Sequence, residues 1–298
     1  MWVLLGLLSA VGLGFYDIFK KLSLNENAVI PVLFFSILTS SCLLLPIHLV
    51  SVFSPETTQH SILNVPPVSF HAHILIIIKS CIVLSSWLFA YFAMKHLPIT
   101  IASPIKATQP IWIVLGAVLF FSEKLSLFQA TGIVITLVSF YLFSAAGARE
   151  GFSLKNKWVW FIIMATLTGA ASGLYDKYLI KELPRFSVQV YYTYYQAVIM
   201  AFITLILWYP RRSSTTPFQW RWSIIFISLL LVLADFCYFL ALSVEGSLIA
   251  VISTLRRSGV VIPFLFGALF MGDKNLKKKI IPLIGILLGI IFLFLGSR

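Results

Sequence analysis

Ten stretches of this chain stay apolar for about as long as a helix needs to cross a bilayer, and little sequence lies outside them. They run over 2–22, 28–52, 72–94, 98–121, 126–146, 157–180, 187–209, 222–243, 246–271 and 278–296. A helix spans the hydrocarbon core with about 20 mostly apolar residues. The joining segments are short, the longest being Ser54–Phe70 and Pro210–Trp220, so no soluble domain fits between spans. Hydrophobic residues make up 60% of the chain and charged residues 11%, against roughly 45–50% and 25% in a soluble domain. The expected fold class is therefore an all-α integral membrane protein. The run starting at Trp2 has no basic region before it and no small-residue cleavage site after it, and reads as a retained span rather than a signal peptide.

The net charge of +12 does not point to nucleic acid, because the basic residues lie in short loops rather than on one soluble face. Cys42, Cys81 and Cys237 each sit in an apolar run without a partner at metal-ligand spacing; they are expected as small packing residues, with no metal site. No phosphate-binding loop of the GxxxxGK[ST] type occurs, so neither ATP drive nor a cofactor is expected. No Ser-His-Asp set or HExxH motif occurs either, and His48, His60, His71, His73 and His96 are scattered at span ends and in loops. No catalytic residue is assigned, and a membrane enzyme is the weaker class.

The chain repeats itself. Gly14-Phe15-Tyr16-Asp17 closes span 1 and Gly173-Leu174-Tyr175-Asp176 closes span 6. Ser103-Pro104-Ile105-Lys106 in span 4 returns as Ser253-Thr254-Leu255-Arg256 in span 9. The closing Phe121-Ser122-Glu123-Lys124 returns as Met271-Gly272-Asp273-Lys274, so both pairs are offset by 150 residues (103 to 253, 121 to 271). Tyr91-Phe92-Ala93-Met94 in span 3 loosely matches Phe239-Leu240-Ala241-Leu242 in span 8. These matches divide the membrane domain into repeats over 1–148 and 156–298. Five spans is an odd number, so the second copy enters the membrane inverted. Inverted repeats mark secondary transporters, with substrate bound near the midplane between them.

With its ten spans, its repeat of five and its Ser-Glu-Lys and Gly-Asp-Lys closings, the chain resembles the drug/metabolite transporter superfamily, in its EamA-like branch. The resemblance implies ten helices around a central cavity, worked by alternating access, with both termini cytoplasmic. The loop charges point the other way. Loops after spans 1, 3, 5, 7 and 9 hold thirteen basic residues: Lys20, Lys21, Lys95, Arg149, Lys155, Lys157, Arg211, Arg212, Arg221, Lys274, Lys277, Lys278 and Lys279. The opposite loops hold Lys124, Lys181, Arg185 and Arg298, or five with Lys177. Since Lys and Arg collect on the cytoplasmic side, this count places both termini outside the cytoplasm, in a plasma or bacterial inner membrane.

Lys79, Lys106, Arg256 and Arg257 interrupt the apolar spans. Each costs about 2.5–3.5 kcal/mol at a helix centre facing lipid, so they are expected to face a watery cavity or buried acids. Lys106 and Arg256 hold equivalent places in the repeats and are expected to face each other; the alternative is neutralisation by Asp17, Asp176 or Asp235. Arg257 is turned roughly 100° from Arg256, so the two cannot share a direction. The cation on span 4 with the doublet on span 9 is similar to the plastid phosphate translocators, where the matching residues hold phosphate. Lys79 either joins this cluster or pairs with Asp235. A lone buried acid binds a proton readily, which makes Asp235 the expected coupling residue. Asp17 and Asp176, each after a tyrosine (Tyr16, Tyr175), are expected at cavity mouths as gates or interfacial pairs. Tyr192, Tyr195, Gln196 and Trp87 complete the expected substrate-binding set, with Trp112 also deep, although packing is the default explanation for the aromatics.

The sequence thus predicts a secondary transporter for a small polar metabolite, anionic or zwitterionic, such as an amino acid, organic acid or sugar phosphate. Its expected partners are that substrate, the lipid bilayer, and a proton or counter-substrate. The alternatives are an exporter of amphipathic or aromatic compounds, a membrane enzyme, and a passive channel. Gly169 and Gly173, and Gly285 and Gly289, form two GxxxG pairs that fit helix packing within the bundle or a homodimer face.

Overall fold

The computed structural model describes residues 1–97, 105–106, 108–145, 156–263, 266 and 276–297. Among these residues every regular element is a helix. In lipid each backbone N–H and C=O must be satisfied within the element, which favours helices over open strands. We label the main helices α1 Trp2–Leu24, α2 Val29–Phe53, α3 Phe70–His96, α4 Gln109–Phe121, α5 Leu127–Ala145, α6 Lys157–Glu182, α7 Arg185–Ile203, α8 Ser223–Ser243, α9 Ile249–Arg257 and α10 Leu276–Leu295. Six of them carry the length and hydropathy of a membrane span: α1, α2, α3, α6, α7 with its extension to Arg211, and α8. Their windows have mean hydropathies between 1.4 and 2.5. Shorter apolar helices cover Gln109–Phe121, Leu127–Leu142 and Ile280–Leu295. A single turn, Pro55–Thr58, sits in the loop after α2, and a π-helical turn, Thr204–Trp208, continues α7.

The polarity of a soluble fold is reversed. Leu119, Phe120 and Ile281 are about three-quarters exposed, while serines, threonines, glutamines and charged groups are buried between helices. Buried hydroxyls return their protons to carbonyls: Ser40 to Ser36, Thr136 to Gly132 and Thr254 to Ala250. The cysteines correct one expectation. Cys42 and Cys81 are exposed on the outer surface and Cys237 is half-buried, so the first two are not core-packing residues.

The packing is reciprocal. The most extensive helix pairs are α1 with α8, α5 with α10, and α3 with α6; next come α2 with α7, α1 with α9, α2 with α8, α3 with α7, α4 with α6, and α4 with α9. Shifting every helix number by five turns α1–α8 into α6–α3, α1–α9 into α6–α4, and α2–α8 into α7–α3. The pairs α2–α7, α4–α9 and α5–α10 map onto themselves. Side chains follow the same rule. Ser80 on α3 donates to the Tyr192 carbonyl on α7, and Ser228 on α8 donates to the Ser36 carbonyl on α2. The corresponding pairs α3–α6 and α1–α8 are each bridged by a serine too, with donor and acceptor helices exchanged: Ser86 on α3 donates to Ala165 on α6, and Ser9 on α1 donates to Ala234 on α8.

Close crossings depend on small residues. A Cβ on Gly259 would stand 2.3 Å from the Ala10 carbonyl oxygen, and one on Gly14 would stand 2.6 Å from the Gly259 oxygen. Gly169 meets Gln109, and Gly285 and Gly289 meet Ser139 and Thr136 of α5. Both GxxxG pairs therefore pack within the monomer. Of the expected motifs, Ser103-Pro104 and Met271–Lys274 lie outside the described residues. Because a backbone oxygen cannot step aside, Gly259→Ala should destabilise the protein by about 1–3 kcal/mol. Gly6→Ala, whose Cβ would meet only Leu255 at 3.4 Å, should be nearly neutral; thermal unfolding in nanodiscs compares the two.

Candidate functional site

Six side chains from five helices close a loop of charges and rings. Lys79 on α3 pairs with Asp176 on α6, both buried. Tyr238 on α8 donates its hydroxyl to Asp176 Oδ2 at 3.2 Å and lies under Arg256 of α9, whose Cζ is 3.9 Å from the ring centroid. Arg256 Nη2 is 2.7 Å from Asp235 Oδ1 on α8. Tyr192 on α7 donates to Asp235 Oδ2 at 2.5 Å. Its ring stands 4.7 Å from Lys79 Nζ, which completes the circuit. Each cation thus has one carboxylate and at least one aromatic face, Lys79 also lying 5.2 Å from the Phe239 ring, and each carboxylate accepts from one cation and one tyrosine.

Local sequence sets the depth of this loop. Lys79 is nine residues from the start of α3, Asp176 six from the end of α6 and Tyr192 seven from the start of α7. Asp235 is eight from the end of α8, and Arg256 seven from the start of α9. At 1.5 Å per residue all lie about 9–14 Å below one end of the bundle. In so dry a place an isolated charge is costly and a matched set is tolerable.

Closer to that end sits a second polar connection. The Glu123 carboxylate after α4 accepts the Ile249 and Ala250 amides at 2.7 and 3.2 Å. It caps α9, whose first N–H groups have no helical acceptor. Lys177 on α6 donates to the carbonyl and the hydroxyl of Ser247 at 2.6 and 2.9 Å, just before α9.

Lys106 and Arg257 belong to neither ion pair. Arg257 turns away from Arg256 and donates to Gln109 Oε1. Lys106 feels Lys20 and Arg257 as like charges and Asp17 as their opposite, and Arg257 also feels Asp17. Asp17 itself is exposed. Among the described residues Lys106 and Arg257 thus face one solvated carboxylate, Asp17, an arrangement suited to an anion.

The sequence singled out most of these residues but not their partners. Lys79 pairs with Asp176 rather than Asp235, and Arg256 faces Asp235 rather than Lys106; Arg257 takes the place expected of Arg256. Asp176 is 5% exposed, so it lies deep and not at a mouth. Tyr175 donates to the Leu75 carbonyl at 3.3 Å, and Tyr16 carries Lys20 over its ring. Tyr195 shares a 2.9 Å hydrogen bond with His73. Trp87 packs with Leu33, Ile37 and Leu84, and Trp112 is exposed on the outer face. Gln196 is buried on α7. Tyr238 and Gln189 were missed; the available signal was a hydroxyl or amide set three or seven residues from a residue already noted.

Residues 1–145 match the model of the EamA-like transporter family, which belongs to the drug/metabolite transporter superfamily. The match covers just under half of the chain and makes that part similar to membrane transporters of the drug/metabolite type; together with the six long apolar helices it points to a multi-pass integral membrane protein. No curated protein matches it. A crystal structure with 14% sequence identity superposes with a TM-score of 0.72, covering 100% of this chain and 97% of the other; at that identity the likeness shows the fold alone.

Removing one member of the buried circuit should be worse than removing a pair. Lys79→Met leaves Asp176 uncompensated and should cost about 3–5 kcal/mol. Lys79→Met with Asp176→Leu should recover most of that loss, and a double-mutant cycle by thermal unfolding measures the coupling.

Proposed function

We propose that the chain is a secondary transporter of ten spans, arranged as two inverted repeats over 1–148 and 156–298, and that it moves a small anionic or zwitterionic metabolite by alternating access. The reciprocal helix pairing supports the inverted arrangement, since an exchange of the two halves preserves the packing. The substrate site is the electropositive cluster of Lys106 and Arg257 with Gln109. Lys79 and Arg256 are already balanced by Asp176 and Asp235, so the charge left for a ligand resides on Lys106 and Arg257; this is the observation that carries the reading. Arginine grips a carboxylate or phosphate with two parallel hydrogen bonds, and lysine adds a mobile point charge.

The buried circuit serves as a gate, because it joins α3, α6, α7, α8 and α9 at one depth. Glu123 and Lys177 close the same end nearer the surface. The loops on the other side carry the thirteen basic residues, so the closed end faces away from the cytoplasm and the anion site is reached from within. Both termini then lie outside. We read the protein as a transporter rather than an enzyme, on its likeness to the EamA-like family over residues 1–145.

Proteoliposomes screened with labelled amino acids, organic acids and sugar phosphates should show saturable uptake of at least one anionic or zwitterionic compound. Lys106→Gln and Arg257→Gln should each lower kcat/KM for it roughly thirtyfold or more, matching the loss of about 2 kcal/mol or more when one partner of a buried charge contact is removed. Unchanged uptake in both variants, with normal folding, would exclude this site.

A further inference from the structure

Beside the buried circuit lies a small cavity at the junction of α2, α7 and α8, and Asp235 belongs to both. Its polar lining is Ser40, Gln189, Tyr192, Thr193, Gln196 and Asp235, among apolar neighbours. Every hydroxyl there has its proton committed elsewhere. Ser40 donates to the Ser36 carbonyl at 3.0 Å, Thr193 to the Gln189 carbonyl at 2.8 Å, and Tyr192 to Asp235. The Gln189 amide is oriented by its Nε2, which donates to the Val232 carbonyl at 2.8 Å. Its Oε1 is buried without a partner among the described residues, on a residue 1% exposed. Gln196, 2% exposed, has a buried Nε2 with no partner, so its amide is free to present either end.

The guest this lining asks for is a cation. Ser40, Thr193 and Tyr192 offer oxygen lone pairs, Gln189 offers a carbonyl and Asp235 a carboxylate; Gln196 can turn its oxygen inward as well. A buried amide oxygen without a partner is costly, and one water has only two protons for five or six acceptors. A divalent ion is a poor fit, because Asp235 is the lone acid in the lining and no cluster of three His, Cys, Asp or Glu residues occurs among the described residues. Hydroxyl, amide and single-carboxylate oxygens suit a hard monovalent ion, and coupling-ion sites in inverted-repeat transporters lie near the midplane.

We propose that this cavity binds a sodium-sized monovalent cation on Gln189, Ser40, Thr193 and Asp235, and that the ion takes over from Arg256 as the counter-charge of Asp235. Arg256 is thereby released from Asp235 and adds its charge to that of Lys106 and Arg257, which hold the anion. Its Nε is buried and unpartnered, so the guanidinium is incompletely used where it now rests. One positive charge enters beside Asp235 and one negative charge enters at the Lys106 and Arg257 cluster, so the two added charges offset each other. Cation and anionic substrate therefore favour each other's binding, and the protein moves them together. The coupling rests on the transporter reading above; the ion site does not, because its test needs no substrate.

The full chain in nanodiscs is melted while choline chloride is replaced stepwise by sodium chloride at constant ionic strength and pH. A ligand bound only by the folded state raises the melting temperature, so sodium should give a saturable rise of several degrees that choline does not. Gln189→Leu and Thr193→Val should each shift the half-maximal sodium concentration upward roughly tenfold or more; the second, nearly isosteric, serves if the first fails to fold. Equal melting in sodium and choline overturns the proposal, as does a sodium response that both variants retain. A rise produced by lower pH alone, lost in Asp235→Asn but kept in Gln189→Leu, would mean that a proton on Asp235 replaces the ion, and would overturn it too. Sodium binding without uptake of any anion would leave the site standing and remove the transporter reading.

Discussion

The fold depends on keeping four full charges in the middle of a bilayer electrically silent. Lys79, Asp176, Arg256 and Asp235 sit about 9–14 Å below one end of the bundle, where each alone would be expelled or neutralised. Tyr192 and Tyr238 make the arrangement cooperative. Each donates to one carboxylate and lies under the opposite pair's cation, so the two ion pairs are not independent. Pulling any helix out of the circuit exposes an unmatched group on its neighbours. The same set therefore fixes one arrangement of α3, α6, α7, α8 and α9 and gives that arrangement a defined way to come apart.

Around this circuit the helices are held by means suited to lipid, where burying apolar surface brings little gain. Small residues allow close crossings at Gly14, Gly259, Gly285 and Gly289. Hydroxyls bridge α3 to α7 and α2 to α8 at equivalent places. The helix class, and most span positions within a few residues, were legible because hydropathy alone decides where a chain can reside in a bilayer. The expectation of a repeat rested on motifs near Asp17 and Asp176, and near Lys106 and Arg256, that recur in order. The π-helical turn after Ile203 was not legible, since it leaves the apolar pattern unchanged.

The site was legible in its ingredients and not in its pairing. A cation inside a span stands out at any orientation, whereas its partner depends on rotations about two helix axes. Repeat symmetry suggested that Arg256 would face Lys106. One step along α9, roughly 100°, gives that direction to Arg257 instead and leaves Arg256 for Asp235. Gln189 was hidden for a different reason. It is one polar residue in a helix already rich in tyrosine, and its significance lies in a carbonyl oxygen that nothing among the described residues satisfies.

Glu123 has a mechanical consequence. Its carboxylate holds the leading amides of α9 from the end of α4, so α9 cannot slide along its axis without baring those groups to a medium that offers no substitute. The two short helices are thereby yoked, and any rocking of one must carry the other. The lever of such a rocker would be this pair moving as one stiff wedge, with a single carboxylate as its pin.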